Sequence, residues 1–176
     1  TSSASEVSGS CGAVTVNQQG TILALGSGGI GIFAQSQGPS GSSAINVTVG
    51  GTVYGDQRGG AGVLISSGHD NSLTVTSSGF LSGNGGTAIR YQGDQSTSAG
   101  SVLNVYNYGT IFDDVILTNT SGNSAGTVYN YSNNTLVSRS LQANVVNAGT
   151  IIVGGRNEIG TTVITDNTAI NRTRQA

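Results

Sequence analysis

The sequence predicts an all-β fold, a parallel β-helix in which short strands stack in successive coils. The first observation is a recurring motif, in which a strand of alternating apolar residues runs into a pivot residue that is Gly in every copy but one. The pivots stand at positions 20, 51, 79, 109, 134 and 149, and most gaps are about 25–31 residues, a period typical of solenoids. The second observation is composition: the chain has 29 Gly, no Met and no window with the apolar spacing of an amphipathic helix.

The recurring strands alternate at period 2, which predicts one face toward a core and one toward solvent. In the first copy Val14 and Val16 are predicted to point inward, and Thr15 and Asn17 outward. The pivot glycine is interpreted as a residue that permits a left-handed turn, and Asn134 is the next-best residue for that conformation. The six copies are Val14–Ile22, Ile45–Val53, Leu73–Leu81, Leu103–Ile111, Val128–Leu136 and Ala143–Ile151. Further strands are predicted at 30–34, 62–65, 88–91 and 115–118, which gives two or three strands per coil.

An Ig-like or jelly-roll sandwich is the alternative fold, because it also contains short strands separated by about 8–12 residues. Repetition of one motif favours the solenoid, with about five or six irregular coils. Each repeat is too short and too polar to bury a core alone, so its inward residues gain a core only by stacking on their neighbours.

The length of 176 residues predicts one domain. Residues 1–10 are mostly small and polar, and we expect an N-terminal cap or tail there. Residues 11–155 are predicted to form the coils, with an irregular stretch near 118–142 where the period breaks and a loop is extruded. Residues 156–176 are interpreted as the last coil, with a strand at 161–165, or as the C-terminal edge of a longer chain.

Charge and cysteine content argue against several classes of function. Only 8% of the residues are charged, the net charge is −2 and no basic stripe is present, so nucleic-acid binding is not expected. The single cysteine, Cys11, cannot form an internal disulfide and is interpreted as a free thiol or as a partner for a cysteine outside this segment. Because one Cys and one His cannot make a structural zinc site, no metal or cofactor is expected.

Candidate catalytic groups are sparse, and the chain is predicted not to be an enzyme. The only histidine, His69, precedes Asp70, but a catalytic triad needs three side chains that converge, whereas sequence neighbours on a turn usually point apart. The carboxylates of Asp113 and Asp114 would suit a glycosidase if they faced each other, which leaves a polysaccharide-cleaving enzyme as an alternative. We interpret this acidic pair as a solvated turn.

Tyrosines in two adjacent repeats form the candidate binding surface. If Tyr106–Tyr108 lies in register with Tyr129–Tyr131, both tyrosines of each segment pair; if the alignment through Asn134 holds instead, only Tyr106 and Tyr131 pair. Paired rings stabilise a sheet by about 0.2–1 kcal/mol, which is the structural interpretation. The functional interpretation is an exposed face that docks a protein or glycan, since Tyr and Asn combine contact area with hydrogen bonding. The candidate binding residues are Tyr106, Tyr108, Tyr129, Tyr131, Asn104 and Asn130.

Two sequence phrases carry a resemblance to a known family. Gly29–Ser36, and the Asn-x-Gly-Thr-Ile phrase at Asn107–Ile111 and Asn147–Ile151, resemble autotransporter passenger domains, the surface-exposed parts of type V secreted proteins of Gram-negative bacteria. The resemblance covers roughly residues 11–155. It implies a right-handed parallel β-helix, a C-terminal outer-membrane barrel in the same precursor, and a location on the bacterial surface or in the medium.

The resemblance also implies adhesion to host cells or matrix, or bacterial self-association in biofilms. The expected partner is therefore a host surface protein or glycan, or another copy of the chain. Rows of Thr and Asn on flat faces suit self-association, because they can hydrogen-bond to an identical molecule. A structural stalk that projects another part of the passenger is the alternative.

Overall fold

The computed structural model describes residues 12–37, 43–93, 101–118 and 125–153, together with the strand backbone at 171–172. Within these residues the chain forms sixteen β-strands and no helix, and so it has no helix that could span a membrane. In chain order the strands are β1 (Val14–Gln18), β2 (Thr21–Leu23), β3 (Ile30–Ser36), β4 (Ile45–Val49), β5 (Thr52–Tyr54), β6 (Ala61–Ser67), β7 (Asn71–Val75), β8 (Phe80–Gln92), β9 (Leu103–Asn107), β10 (Thr110–Thr118), β11 (Gly126–Asn130), β12 (Thr135–Ser138), β13 (Leu141–Gln142), β14 (Asn144–Asn147), β15 (Thr150–Val153) and β16 (Asn171–Arg172).

The strands form two sheets in which the pairings are parallel. The six-stranded sheet has the order β1, β4, β7, β9, β11 and β14. The ten-stranded sheet runs β2, β5, β8, β10, β12, β15 and β16, and β3 and β6 join it through β8 while β13 joins it through β10. The predicted all-β class is therefore confirmed, and the strands are parallel.

The recurring motif pairs with itself from one repeat to the next. The residues that follow the pivots form one continuous row in the ten-stranded sheet: Thr21, Thr52, Phe80, Thr110, Thr135 and Thr150. The pairing of Thr110 with Thr135 supports the alignment that puts Asn134 at a pivot. The further strands predicted from the sequence lie within β3, β6, β8 and β10, all of which extend beyond the predicted bounds.

The pivot glycines do not have the left-handed backbone that the sequence suggested. Positive φ occurs instead at other residues, among them Gly28, Gly59 and Asn133. A Cβ on Gly20 would have nothing within 4 Å, but at the other four pivot glycines the preceding repeat crosses closely. A Cβ on Gly51 would lie 2.0 Å from the Gly20 carbonyl oxygen, and one on Gly109 would lie 2.2 Å from that of Thr76. Close stacking of backbone on backbone, rather than turn geometry, therefore selects glycine there.

Apolar side chains from successive repeats form one core between the sheets. Val47, Leu73 and Val105 are at most 1% exposed, and they alternate with outward polar residues as the period-2 pattern predicts. Val14 and Val16, on the first strand, are partly buried and pack against this core. Each fully buried Val or Leu contributes about 1.5–3 kcal/mol, so the column supplies the stability that no single repeat could reach.

Several sequence-based expectations lie outside the described residues. These are the cap or tail at 1–10, the thiol of Cys11 and the strand at 161–165. Of the irregular stretch near 118–142, residues 119–124 also lie outside, whereas β11, β12 and β13 occupy most of the remainder.

Candidate binding surface

The tyrosines on β9 and β11, and those directly after these strands, are brought together in pairs on the outer face of the six-stranded sheet. Tyr106 pairs in register with Tyr129, and their ring centroids lie 5.3 Å apart with planes tilted by 13°. The rings of Tyr108 and Tyr131 stack more closely, at 4.4 Å and 4°. The structure thus agrees with the first of the two registers that the sequence left open.

Each of the two sequence alignments is nevertheless correct over part of the repeat, because the turn between β11 and β12 is longer than the turn between β9 and β10. The offset between β9 and β11 is 23 residues (106 to 129), whereas the offset between β10 and β12 is 25 (110 to 135). Two extra residues therefore lie in the turn at 131–134. The turn absorbs this insertion, so the tyrosines stay in register while Asn134 still precedes the Thr row.

The strand pattern fixes which way these rings point. Leu103 and Val105 are fully buried, so Tyr106 between Val105 and the inward Asn107 must face outward. Tyr108 and Tyr131 are the first residues after their strands, yet parallel pairing continues through them: the Tyr131 amide donates to the Asn107 carbonyl at 3.2 Å. This backbone contact keeps the second ring pair aligned beyond the strand ends.

The two outermost phenols interact with each other electrostatically. A hydrogen bond with Tyr108, together with partial desolvation, raises the pKa of Tyr131 to about 12. At physiological pH the Tyr131 hydroxyl is therefore neutral. We call the exposed patch formed by Tyr106, Tyr108, Tyr129 and Tyr131 the tyrosine surface. Stacking within each pair covers the ring faces that look toward each other.

The whole outer face of the six-stranded sheet is uncharged. Its outward strand positions hold only Thr, Asn, Ser, Tyr and Val: Thr15, Asn17, Asn46, Thr48, Ser72, Thr74, Asn104, Tyr106, Thr127, Tyr129, Asn144 and Val146. The tyrosines form the most bulky part of this face, and Val146, which is 37% exposed, continues their row on β14. This face therefore offers a partner hydrogen-bonding groups and the edges of aromatic rings, but no charged side chain with which to form an ion pair.

One predicted binding residue is not at the surface. Asn104 faces outward, but Asn130 is 1% exposed and belongs to the interior, so the prediction that it contributes to an exposed face is wrong. The reason is the strand alternation, which turns Asn130 inward between the outward Tyr129 and Tyr131. The binding surface is therefore narrower than the sequence suggested.

Asn130 is the centre of a buried ladder of amides. Its Oδ1 accepts a hydrogen bond from Asn107 Nδ2 at 2.7 Å, and its Nδ2 donates to Asn147 Oδ1 at 2.7 Å and to the Thr150 carbonyl at 3.2 Å. Asn107 is also buried, and its Oδ1 accepts from the Gly109 amide at 3.2 Å. The ladder links three successive strands just beneath the tyrosines and so supports the surface from below.

The carboxylates of Asp113 and Asp114 accept hydrogen bonds from neighbouring repeats. The prediction of a solvated turn is wrong for Asp113, which is buried. Its side chain is 5% exposed, its backbone φ is 99°, and its Oδ2 accepts from Ser82 Oγ at 2.7 Å and from the Gly83 and Gly85 amides at 3.0 Å. Asp114 Oδ1 accepts instead from the Ser140 amide, at 2.9 Å. Each carboxylate thus satisfies the backbone of a neighbouring repeat.

His69 and Asp70 are the other candidate catalytic groups that the sequence offers. His69 Nδ1 lies 3.0 Å from Asp70 Oδ2, and both side chains are more than half exposed on the loop between β6 and β7. Across the described ranges, no group of three or more His, Cys, Asp or Glu side chains could hold a metal ion.

The ten-stranded sheet has an exposed apolar row that the sequence analysis did not predict. Apart from the buried Ser82, the residues two positions after the Thr row of the ten-stranded sheet face outward, and Leu23 and Phe112 are 60% and 43% exposed. The row contains Leu23, Tyr54, Phe112, Val137 and Ile152, interrupted by Ser82. Its signal was present in the sequence, because most copies of the motif carry an apolar residue at this outward position.

The chain was compared with protein-family models, with curated proteins and with solved structures, and none of them matched.

Proposed function

We propose that this chain is a segment of a surface-exposed bacterial adhesin and that the tyrosine surface attaches it to its partner. The partner is a protein or glycan of the host surface, or another copy of the chain on a neighbouring cell. One observation carries the proposal: two stacked tyrosine pairs stand on an uncharged sheet face. The buried amide ladder of Asn107, Asn130 and Asn147 lies directly beneath them. Rigid support of this kind is what a binding face requires.

The finer fold that we propose is a right-handed parallel β-helix with about five or six coils. It is supported by the alternation of the chain between the two sheets, and by the pairing of each strand with its counterpart in the next repeat. The hand follows from the strong preference of parallel crossover connections for the right-handed form. An elongated solenoid of this kind suits the exposed part of a secreted bacterial protein.

The energetic argument for the tyrosine surface rests on low ordering costs. A tyrosine side chain has few rotatable bonds, and stacking against its neighbour already restricts these rings before any partner arrives. Tyr108 is 41% exposed, so a partner can still cover a large part of it. Because the surrounding face carries no charge, recognition would depend on hydrogen bonds and apolar contact.

The proposal is tested with bacteria that display this chain on their surface. We expect attachment to host cells, or clumping of the bacteria, to fall at least ten-fold in the Tyr108→Ala/Tyr131→Ala variant. Phe112→Ala is the matched control, because Phe112 is an aromatic residue of nearly equal exposure, 43%, on the other sheet. Equal surface display of all variants is verified with an antibody.

The readouts also distinguish the partners. Loss of attachment with unchanged clumping identifies a host ligand, and loss of clumping alone identifies a second copy of the chain. If the tyrosine variant behaves like the parent in both assays, the tyrosine surface is not adhesive and the stalk interpretation replaces the proposal.

A further inference from the structure

Tyr108 and Tyr131 meet in a geometry that differs from that of the other tyrosines. Their rings are nearly parallel, at 4°, and their centroids are 4.4 Å apart. The two residues occupy matching positions just after paired parallel strands, so their stacked rings extend from the sheet in the same direction. This arrangement brings the carbons next to the two hydroxyl groups close together. These are the carbon atoms at which tyrosyl radicals couple.

Composition directs oxidation toward these rings. Met and Cys are the residues that oxidants modify most readily, but the chain has no Met, no Trp and a single Cys. Of the six tyrosines, Tyr91 is 1% exposed, and Tyr54 has Phe80 as its aromatic neighbour. Tyrosine pairs that solvent can reach are therefore confined to the tyrosine surface.

We propose that Tyr108 and Tyr131 form a site of oxidative cross-linking, at which a peroxidase with hydrogen peroxide joins the two rings as an intramolecular dityrosine. Each phenol loses one electron and its hydroxyl proton. The two radicals form a carbon–carbon bond between their ortho positions, and the hydrogen on each of those carbons then moves to the phenol oxygen. Overall, two electrons and two protons reduce one hydrogen peroxide to two waters.

The location of the pair explains why it should couple before Tyr106 and Tyr129. Tyr106 and Tyr129 lie inside strands, and their centroids are 5.3 Å apart with a tilt of 13°. Tyr108 and Tyr131 follow the strand ends, where Tyr108 is 41% exposed, and their rings lie closer together, at 4.4 Å and 4°. Their rings can therefore approach to bonding distance with less disturbance of the sheet.

The link would join residues that are 23 positions apart in the sequence, and would connect two successive repeats covalently. A cross-link of that span restricts the unfolded chain as a disulfide does. We expect it to raise the midpoint of thermal unfolding by about 5–10 °C.

The folded chain is treated with horseradish peroxidase and hydrogen peroxide, and the product is examined by dityrosine fluorescence, by denaturing gel and by mass spectrometry of proteolytic peptides. We expect a monomeric product that is lighter by two hydrogen atoms, with a peptide that links Tyr108 to Tyr131. The same treatment in denaturant should reduce the yield of this peptide at least five-fold.

Conservative variants keep the test independent of folding. Tyr108→Phe retains a stacked ring but cannot form a phenoxyl radical, so it should abolish the monomeric cross-link, whereas the matched variant Tyr106→Phe should leave it unchanged. Dityrosine found only between chains, a link between Tyr106 and Tyr129 instead, or absence of dityrosine in the folded parent would each overturn the proposal.

Discussion

Replacement of Asn130 by alanine examines the buried amide ladder, which the sequence misassigned to the surface. The substitution removes three hydrogen bonds, from Asn107, to Asn147 and to the Thr150 carbonyl. At about 0.5–1.5 kcal/mol each, their loss amounts to about 3 kcal/mol of unfolding free energy. For a chain of this length, that corresponds to a fall of about 6–12 °C in Tm.

The assay is urea unfolding of the parent and the variants, followed by circular dichroism and compared at equal m-values. Asn104→Ala is the matched control, because Asn104 lies on β9, which pairs with the strand of Asn130, but its side chain faces outward. We expect this control to change the unfolding free energy by less than about 0.5 kcal/mol. If Asn130→Ala is as mild as Asn104→Ala, the amide ladder does not exist as described and the register beneath the tyrosines is wrong.

The remaining predictions concern the buried core, the buried carboxylate of Asp113, the lack of charge on the tyrosine surface and the ionisation of Tyr131. Val105→Asp places an unpaired carboxylate at a fully buried position and should unfold at least the local repeats; thermal melting like that of the parent would disprove the inward assignment. Asp113→Ala should cost about 3 kcal/mol or more in urea unfolding, because it removes the acceptor of hydrogen bonds from Ser82 Oγ and two amides. Asp70→Ala, at an exposed carboxylate that also has positive φ, should cost only about 1–2 kcal/mol, the backbone contribution alone. Adhesion or clumping should change less than two-fold between about 0.05 and 0.5 M NaCl, since no ion pair is available on the tyrosine face; a steep salt dependence measured in the same cell assay would point to another surface. The pKa of Tyr131 is raised from 10.0 to about 12, so the unfolded chain ionises first, and stability should fall as pH rises between these values; Tyr131→Phe should remove that part of the alkaline loss, as followed by tyrosinate absorbance and circular dichroism.

Local strand patterns were readable from the sequence because alternation and recurrence are local signals. The pairing of Val105 with Leu73 and Val128, and the row of residues after the pivots, follow directly from the repeated motif. The register of the tyrosines was ambiguous for a physical reason: a two-residue insertion in a turn is invisible until the strands on either side pair. Both alignments of the sequence were reasonable, and each holds on one side of the turn at 131–134.

The interior polar residues were harder to predict because they break the hydrophobic pattern that identifies a core. The sequence predicts Asn130 at the surface beside Tyr129 and Tyr131, because a buried asparagine needs hydrogen-bond partners, and here the aligned amides of neighbouring repeats supply them. The signal was the recurrence of Asn at the last strand position, at 107, 130 and 147. Asp113 was misassigned for the same reason, because its three donors come from a repeat about 30 residues earlier.

The properties proposed for the tyrosine surface depend on parallel stacking of β9 on β11. The most direct measurement is the set of backbone proton contacts across Val105 and Val128 by nuclear magnetic resonance in an isotopically labelled chain. Parallel pairing in the described register should give contacts from Val105 to Val128 and from Tyr106 to Tyr129, along strands that run in the same direction. Antiparallel contacts between these segments, as in a sandwich, would contradict both the β-helix and the stacked tyrosine pairs.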